Sequence, residues 1–189
     1  MLRCGWVGAL GQQYDDYVAY HDHEWALPVH GEQALLERLC LEAFQSGLSW
    51  LTILRKREGF RRALAAFHPE TVAAFGPAEV EALMQDASIV RNRRKIEATI
   101  ANATATIALR PHGGLDALFW ASQPAAHERP TSLDSVPAST PESAALAKQL
   151  KRAGFAFVGP TTMYAAMQAC GVVDDHVSGC FRASGPPTG

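Results

Sequence analysis

The chain has 189 residues, 48% of them hydrophobic, with a formal net charge of −2 and four cysteines. That is enough apolar material for the core of one globular domain, or of two lobes sharing a core, without help from disulfides. The charge balance excludes a general basic field for nucleic acid, and no stretch is apolar and long enough to span a bilayer.

No charged-then-apolar leader opens the chain, which reads as soluble and intracellular. In chain order, the first helix is "GEQALLERLCLEAFQSG", with Leu35, Leu36, Leu39, Cys40, Ala43 and Phe44 at helical spacing and an end near Gly47. "SWLTILRKREG" restarts with Ser49 as N-cap. Pro69 and Pro77 each sit where a first helical turn tolerates proline. A longer helix spans about Asn92 to Leu109, and "HGGLDALFW" supplies a short one. Residues 123–139, rich in Pro, Ser, Thr and Ala, read as the one long connection. "STPESAALAKQLKRAG" starts with Thr140 before Pro141 and stops at Gly154, and glycines bracket "GPTTMYAAMQACG". "FAFVG" is the only β-like run and is too short to build a sheet. The prediction is an all-α single domain over residues 1–189, with 181–189 as a disordered tail.

Nine of the seventeen basic residues fall in two windows, Arg55, Lys56, Arg57, Arg61 and Arg62, then Arg91, Arg93, Arg94 and Lys95. These are two solvated helix faces or two local phosphate-binding patches, and charge alone does not choose. Cys40 and Cys170 lie inside apolar helical patterns and read as inert core thiols, whereas Cys4 and Cys180 lie in Gly-flanked stretches at the two ends.

"VVDDHVSGC" places His176 and Cys180 four residues apart, a spacing that lets two metal ligands point from one face of a turn. With Cys4 and a histidine of "VAYHDHEW" they make a Cys2His2 set, the composition of a closed structural zinc site joining the chain ends. Spacing leaves the choice between His21 and His23 open, and the first pair lacks the short separation of zinc-finger patterns.

"RCGWV", "YVAYHDHEW", "LCLEAFQSGLSWLTILRKRE", "DASIVRNRRKIEATIANA" and "GFAFVGPTTMYAAMQACGVVDDHVSGC" resemble the DNA-3-methyladenine glycosylase I family over roughly residues 3 to 181. The resemblance implies a helix–hairpin–helix glycosylase fold of two helical lobes, with one structural zinc ion joining the N- and C-terminal segments through Cys4, His21, His176 and Cys180. It puts the base-recognition glutamate on Glu42 and the aromatic pocket on Trp6, Tyr17, Tyr20 and Trp50. By base rate alone, Glu42 would be a surface residue and Trp50 core. Gly47 and Leu48 match the plug that fills the gap left in the duplex, and Ser88, Arg91 and Arg93 fall on or beside the DNA-contacting hairpin. The chain departs from the family at Ala26, where a glycine is usual and the turn is expected to change, and at Ser88, also in place of glycine.

The implied activity is monofunctional: hydrolytic removal of 3-methyladenine from double-stranded DNA containing alkylated purines, leaving an abasic site in base excision repair. Methylation makes the base cationic and its bond weak, so the pocket must chiefly reward the flipped base. The resemblance also implies a bacterial cytoplasmic protein, monomeric and used at the nucleoid. The alternative is a zinc-stapled helical DNA-binding module without catalysis. A third reading keeps the enzyme and changes the base to 3-methylguanine or another alkylated purine.

Overall fold

The computed structural model describes residues 1–7 and 14–184. Among these it is all-helical, as expected, with no strand at "FAFVG". The helices are α1 (Asp15–His23), α2 (Glu32–Gln45), α3 (Trp50–Ala63), α4 (Pro69–Ala73), α5 (Pro77–Gln85), α6 (Arg93–Leu109), α7 (Gly114–Trp120), α8 (Pro141–Arg152) and α9 (Pro160–Ala169). No helix of the described residues is long and apolar enough to cross a membrane.

Local chemistry explains most of the boundaries. Ser49, Asn92 and Thr140 each accept a backbone N–H of the first turn of the helix they open, and prolines occupy the starts of α4, α5, α8 and α9. Gly154 stops α8 at φ 99°, a left-handed conformation that costs glycine little. Helix α1, which the periodicity did not reveal, begins with Asp15 and Asp16, acids that complement a helix N-terminus.

Packing is organised on α2. Leu35, Leu36, Leu39, Cys40, Leu41, Glu42, Ala43 and Phe44 are all buried, so the helix is covered on every side rather than along one stripe. Helices α4 and α5 pack on α6, α8 packs on α9, and α6 and α9 both pack on α2. These two helical groups share one buried cluster that extends from Cys4 to Cys180. The connection over 123–139 contains a 3-10 turn at Leu133–Ser135. Of the expected tail, Phe181–Ser184 form a 3-10 turn instead, and residues 185–189 lie outside the described residues.

Three turns carry strain, one of them at Phe157 with φ 57°. Ala26 sits at φ 59°, in the left-handed region where a glycine would be at ease, so the turn is kept at the expense of alanine's backbone. Ala65, Ala66 and Phe67 run consecutively at φ 47°, 52° and 59°. Burial of the whole Phe67 side chain and a hydrogen bond from Gln33 Nε2 to the Ala66 carbonyl hold that turn.

Candidate functional site

Several elements converge on one cavity of about 470 Å³. The first 3-10 turn brings Trp6, α1 brings Tyr17 and Tyr20, α2 brings Glu42, and α3 opens on Trp50. Trp50 is the first residue after the Ser49 cap, so the start of α3 fixes where its indole enters. The rings form two walls: Trp6 packs on Tyr17 at 4.9 Å between centroids, and Tyr20 on Trp50 at 5.2 Å. Trp25, which the sequence reading passed over, completes the first wall by meeting Trp6 edge-on at 5.2 Å.

Glu42 is the polar centre of this cavity and is only 5% exposed, so the base-rate reading of a surface residue is corrected. Burial pushes its carboxyl up to about 8, while the Arg38 guanidinium one turn earlier on α2 pulls the other way. Such a group is readily neutral when alone and ionised beside a cation. Aromatic walls around it suit a flat ring that carries hydrogen-bond donors and positive charge.

Beside this cavity lies a cluster of buried donors. The ligand atoms of Cys4, His21 and Cys180 lie within 4.8 Å of one another. His176, the fourth expected ligand, stands outside that group but packs beside it, its ring centroid 5.0 Å from that of His21. In both histidines Nδ1 is engaged by a carboxylate, His21 with Asp22 Oδ1 at 2.8 Å and His176 with Asp174 Oδ1 at 2.7 Å. This leaves each Nε2 as the lone-pair atom, and buried His176 Nε2 has no hydrogen-bond partner. Each carboxylate is itself clamped, Asp22 by Arg3 and Asp174 by Arg129. The Arg3 hydrogen bonds hold Asp22 down to about 2; burial opposes the shift at Asp174, but its bonds from His176 and Arg129 hold it to about 2 as well.

Burial lowers His21 towards the neutral, ligating form and raises the Cys4 thiol to about 12, so a thiolate there requires a cation beside it. An orphaned imidazole nitrogen, two oriented histidines and two buried thiols fit a soft divalent ion. Between the two histidines left open by spacing, His21 is buried here and His23 exposed. The cluster also supports the cavity: His21 packs edge-on to Trp6 at 5.2 Å, and His176 to Trp25 at 4.6 Å.

The positions expected at DNA lie outside the cavity lining. Gly47 has φ 83°, and Leu48 beside it is 43% exposed, a large apolar side chain turned to solvent just before Ser49 caps α3. Ser88 lies in the turn between α5 and α6 without a positive φ, so its backbone does not require glycine. The need falls on Gly59 of α3 instead, where an added Cβ would stand 2.4 Å from the Ser88 carbonyl oxygen.

Exposed Arg91 makes no ion pair among the described residues, whereas Arg93 pairs with Glu81 at 2.7 Å. Lys95 leaves the basic run altogether. It is buried and donates from Nζ to the Phe44 and Ser46 carbonyls, closing the C-terminal end of α2. In the earlier window, Arg55, Arg57 and Arg61 are paired with Asp16, Glu24 and Glu37, and Lys56 donates to the Ala87 carbonyl. That window is largely neutralised by its neighbours.

Asp22, Asp174, Arg3 and Arg129 were missed from sequence. The acids beside the ligand histidines, in "HDH" and "DDH", were the available signal. Gln168 and Asp175 of the cavity wall carried none.

Together these features define a small helical protein with an open, aromatic-walled pocket around a buried carboxyl and a buried metal-type cluster behind it. The sequence profile described as methyladenine glycosylase matches residues 10–183, and the chain belongs to that family. It is 47% identical over 184 residues to DNA-3-methyladenine glycosylase 1 of Escherichia coli (strain K12), covering 95% of this chain and 96% of that one. A crystal structure of 3-methyladenine DNA glycosylase I (TAG) superposes with a TM-score of 0.89 at 45% identity, over 95% of this chain and 98% of the other. The Staphylococcus aureus TAG, solved for the structural basis of its 3-methyladenine recognition, gives a TM-score of 0.85 at 32% identity, over 91% and 93% of the two chains.

Proposed function

We infer that this protein is a monofunctional DNA N-glycosylase that hydrolyses the N-glycosidic bond of 3-methyladenine in alkylated DNA and leaves an abasic site. The observation that carries the reading is Glu42, a buried carboxyl raised by burial and set among aromatic walls. The kinship to 3-methyladenine glycosylases supports it.

The flipped base enters the cavity and stacks on Trp50 and Tyr20, with Trp6 and Tyr17 on the facing wall. Flipping costs a few kcal/mol, which this stacking offsets. Glu42 ionises beside the cationic base and accepts hydrogen bonds from its donor edge. As the bond to the sugar breaks, its electron pair leaves with the base, which departs neutral, and water adds to the sugar carbon and gives up its proton to solvent. Leu48, presented by the turn at Gly47, fills the space left in the duplex. The α5–α6 turn at Ser88, with Arg91 and the partly neutralised Arg93, holds the phosphate backbone.

Cys4, His21, His176 and Cys180 hold one zinc ion in this reading. Its contribution is a cross-link between the two ends of the chain, with no part in the reaction. The non-catalytic binding module is disfavoured because binding alone needs no buried carboxyl inside an aromatic pocket. The test is to incubate the protein with methylated duplex DNA and identify released bases by mass spectrometry. Release of 3-methyladenine is expected, and DNA binding without any released base would overturn the assignment.

A further inference from the structure

Besides the residues used so far, the cavity is bordered by α9 and the loop after it. Ala165 and Gln168 stand one turn apart on the face of α9 that lines the cavity, while Met163, Tyr164, Ala166, Met167 and Ala169 around them are buried. The open part of Gln168 is therefore the part that meets the cavity.

Its amide is not free to turn. Gln168 Nε2 donates to Asp175 Oδ2 at 2.6 Å, and the Tyr164 hydroxyl donates to the same oxygen at 2.7 Å. His127 Nε2 approaches the other oxygen, Oδ1, at 2.9 Å, although off the line of a hydrogen bond. Asp175 is only 2% exposed and is held from these sides, so it is a rigid acceptor. A Gln amide can donate to a carboxylate oxygen only through its nitrogen, which turns the carbonyl Oε1 away from Asp175. That Oε1 accepts no hydrogen bond from the described residues and is not fully enclosed.

We propose that Gln168, held in one amide orientation by Asp175, is a second reader of the flipped base and a determinant of its identity. Its carbonyl oxygen accepts a hydrogen bond from an exocyclic amino group and disfavours a ring with an oxo group in that place. The proposal rests on the function inferred above and divides the work of recognition. Glu42 takes a hydrogen bond from the donor edge but answers chiefly to the charge of the base, which any purine alkylated at N3 carries in DNA. Gln168 is neutral and answers to the pattern of donors and acceptors, which separates an adenine-type ring from an oxo-purine. An acceptor facing an acceptor leaves both unpaired where the base covers them from water, a mismatch that binding sites convert into strong discrimination. Asp175, although it also borders the cavity, is a positioning residue in this scheme, since it acts through its hydrogen bond to Gln168.

The test uses the full chain and two free bases that differ at the exocyclic position, 3-methyladenine and 3-methylhypoxanthine (whose ring also gains an N–H with the oxo group), titrated by quenching of tryptophan fluorescence. The wild type is expected to prefer the amino form. Gln168→Met keeps the length of the side chain and removes the acceptor, and the preference should fall roughly ten-fold, the worth of one hydrogen bond. Asp175→Asn gives Gln168 a partner that can donate as well as accept, so the amide is no longer held one way and the preference should fall similarly. The double variant should lose little more than either single one. An unchanged ratio in folded Gln168→Met, or equal weakening of both bases, would overturn the proposal. If Asp175→Asn fails to fold, Gln168→Met alone decides. Release of 3-methyladenine from methylated DNA by the wild type is measured alongside. Intact release with an unmoved ratio refutes this inference only, whereas absent release refutes the glycosylase reading.

Discussion

Glu42→Gln separates what the buried carboxyl costs the fold from what it contributes to the site. The substitution keeps shape and removes both the charge and the proton. In the folded protein the carboxyl titrates at about 8, against 4.5 for an unperturbed glutamate, because burial disfavours its ionised form. The folded state therefore holds a proton that the unfolded state has released, and stability falls as pH rises from 4.5 to 8. At pH 7 the group destabilises the fold by about 3 kcal/mol relative to a permanently neutral side chain. Glu42→Gln should thus raise Tm at pH 7 by on the order of 5–10 °C, with no gain at pH 4. Activity should move the other way. Loss of one charge-assisted hydrogen bond costs about 1.5–3 kcal/mol, roughly ten- to a hundred-fold in single-turnover release of 3-methyladenine. The wild-type rate at subsaturating DNA, which follows the free enzyme, should climb with pH towards 8 as Glu42 ionises, and the Gln variant should lack that limb. Thermal melts across pH 4–9, paired with release assays, read both effects. Equal stability of the two proteins at every pH, together with an equal rate, would refute the reasoning. Complete loss of release would instead make Glu42 a general base.

Purified protein should carry about one zinc per chain, bound through two sulfurs and two nitrogens by X-ray absorption; an open, water-bound position would contradict a structural role. His176→Ala or Cys180→Ser should lower Tm, and should also weaken 3-methyladenine binding, because Trp6 and Trp25 rest on the ligand rings. Arg91→Ala should flatten the salt dependence of DNA binding by about one phosphate contact, and Arg93→Ala by less because Glu81 already offsets it. Unchanged slopes in both would return this cluster to a solvated face. Ala26→Gly should relieve the left-handed turn and raise stability by about 0.5–1 kcal/mol in denaturant melts, and a loss would mean the alanine methyl packs more favourably than the backbone strain costs.

Helix starts at Ser49, Asn92, Thr140, Pro69 and Pro77, and the stop at Gly154, were legible in the sequence. Caps, prolines and left-handed glycines act on the backbone within a turn of themselves, so the information is local. The pocket residues were legible only through kinship, since nothing near Glu42 in the chain says that α2 is buried on every side. Tertiary structure decided the rest. His21 and His23 lie on the same helix about 200° apart, and only the arrival of Cys180, 159 residues away, places one of them in the cluster. Lys95 reads as part of a basic run until the end of α2, some 50 residues earlier, supplies carbonyls for it. Arg129 and Asp174, or Gln168 and Asp175, mean nothing as isolated letters. Their chemistry lies in which donor meets which acceptor, and long-range packing sets that pairing, whereas propensity acts only over a few residues.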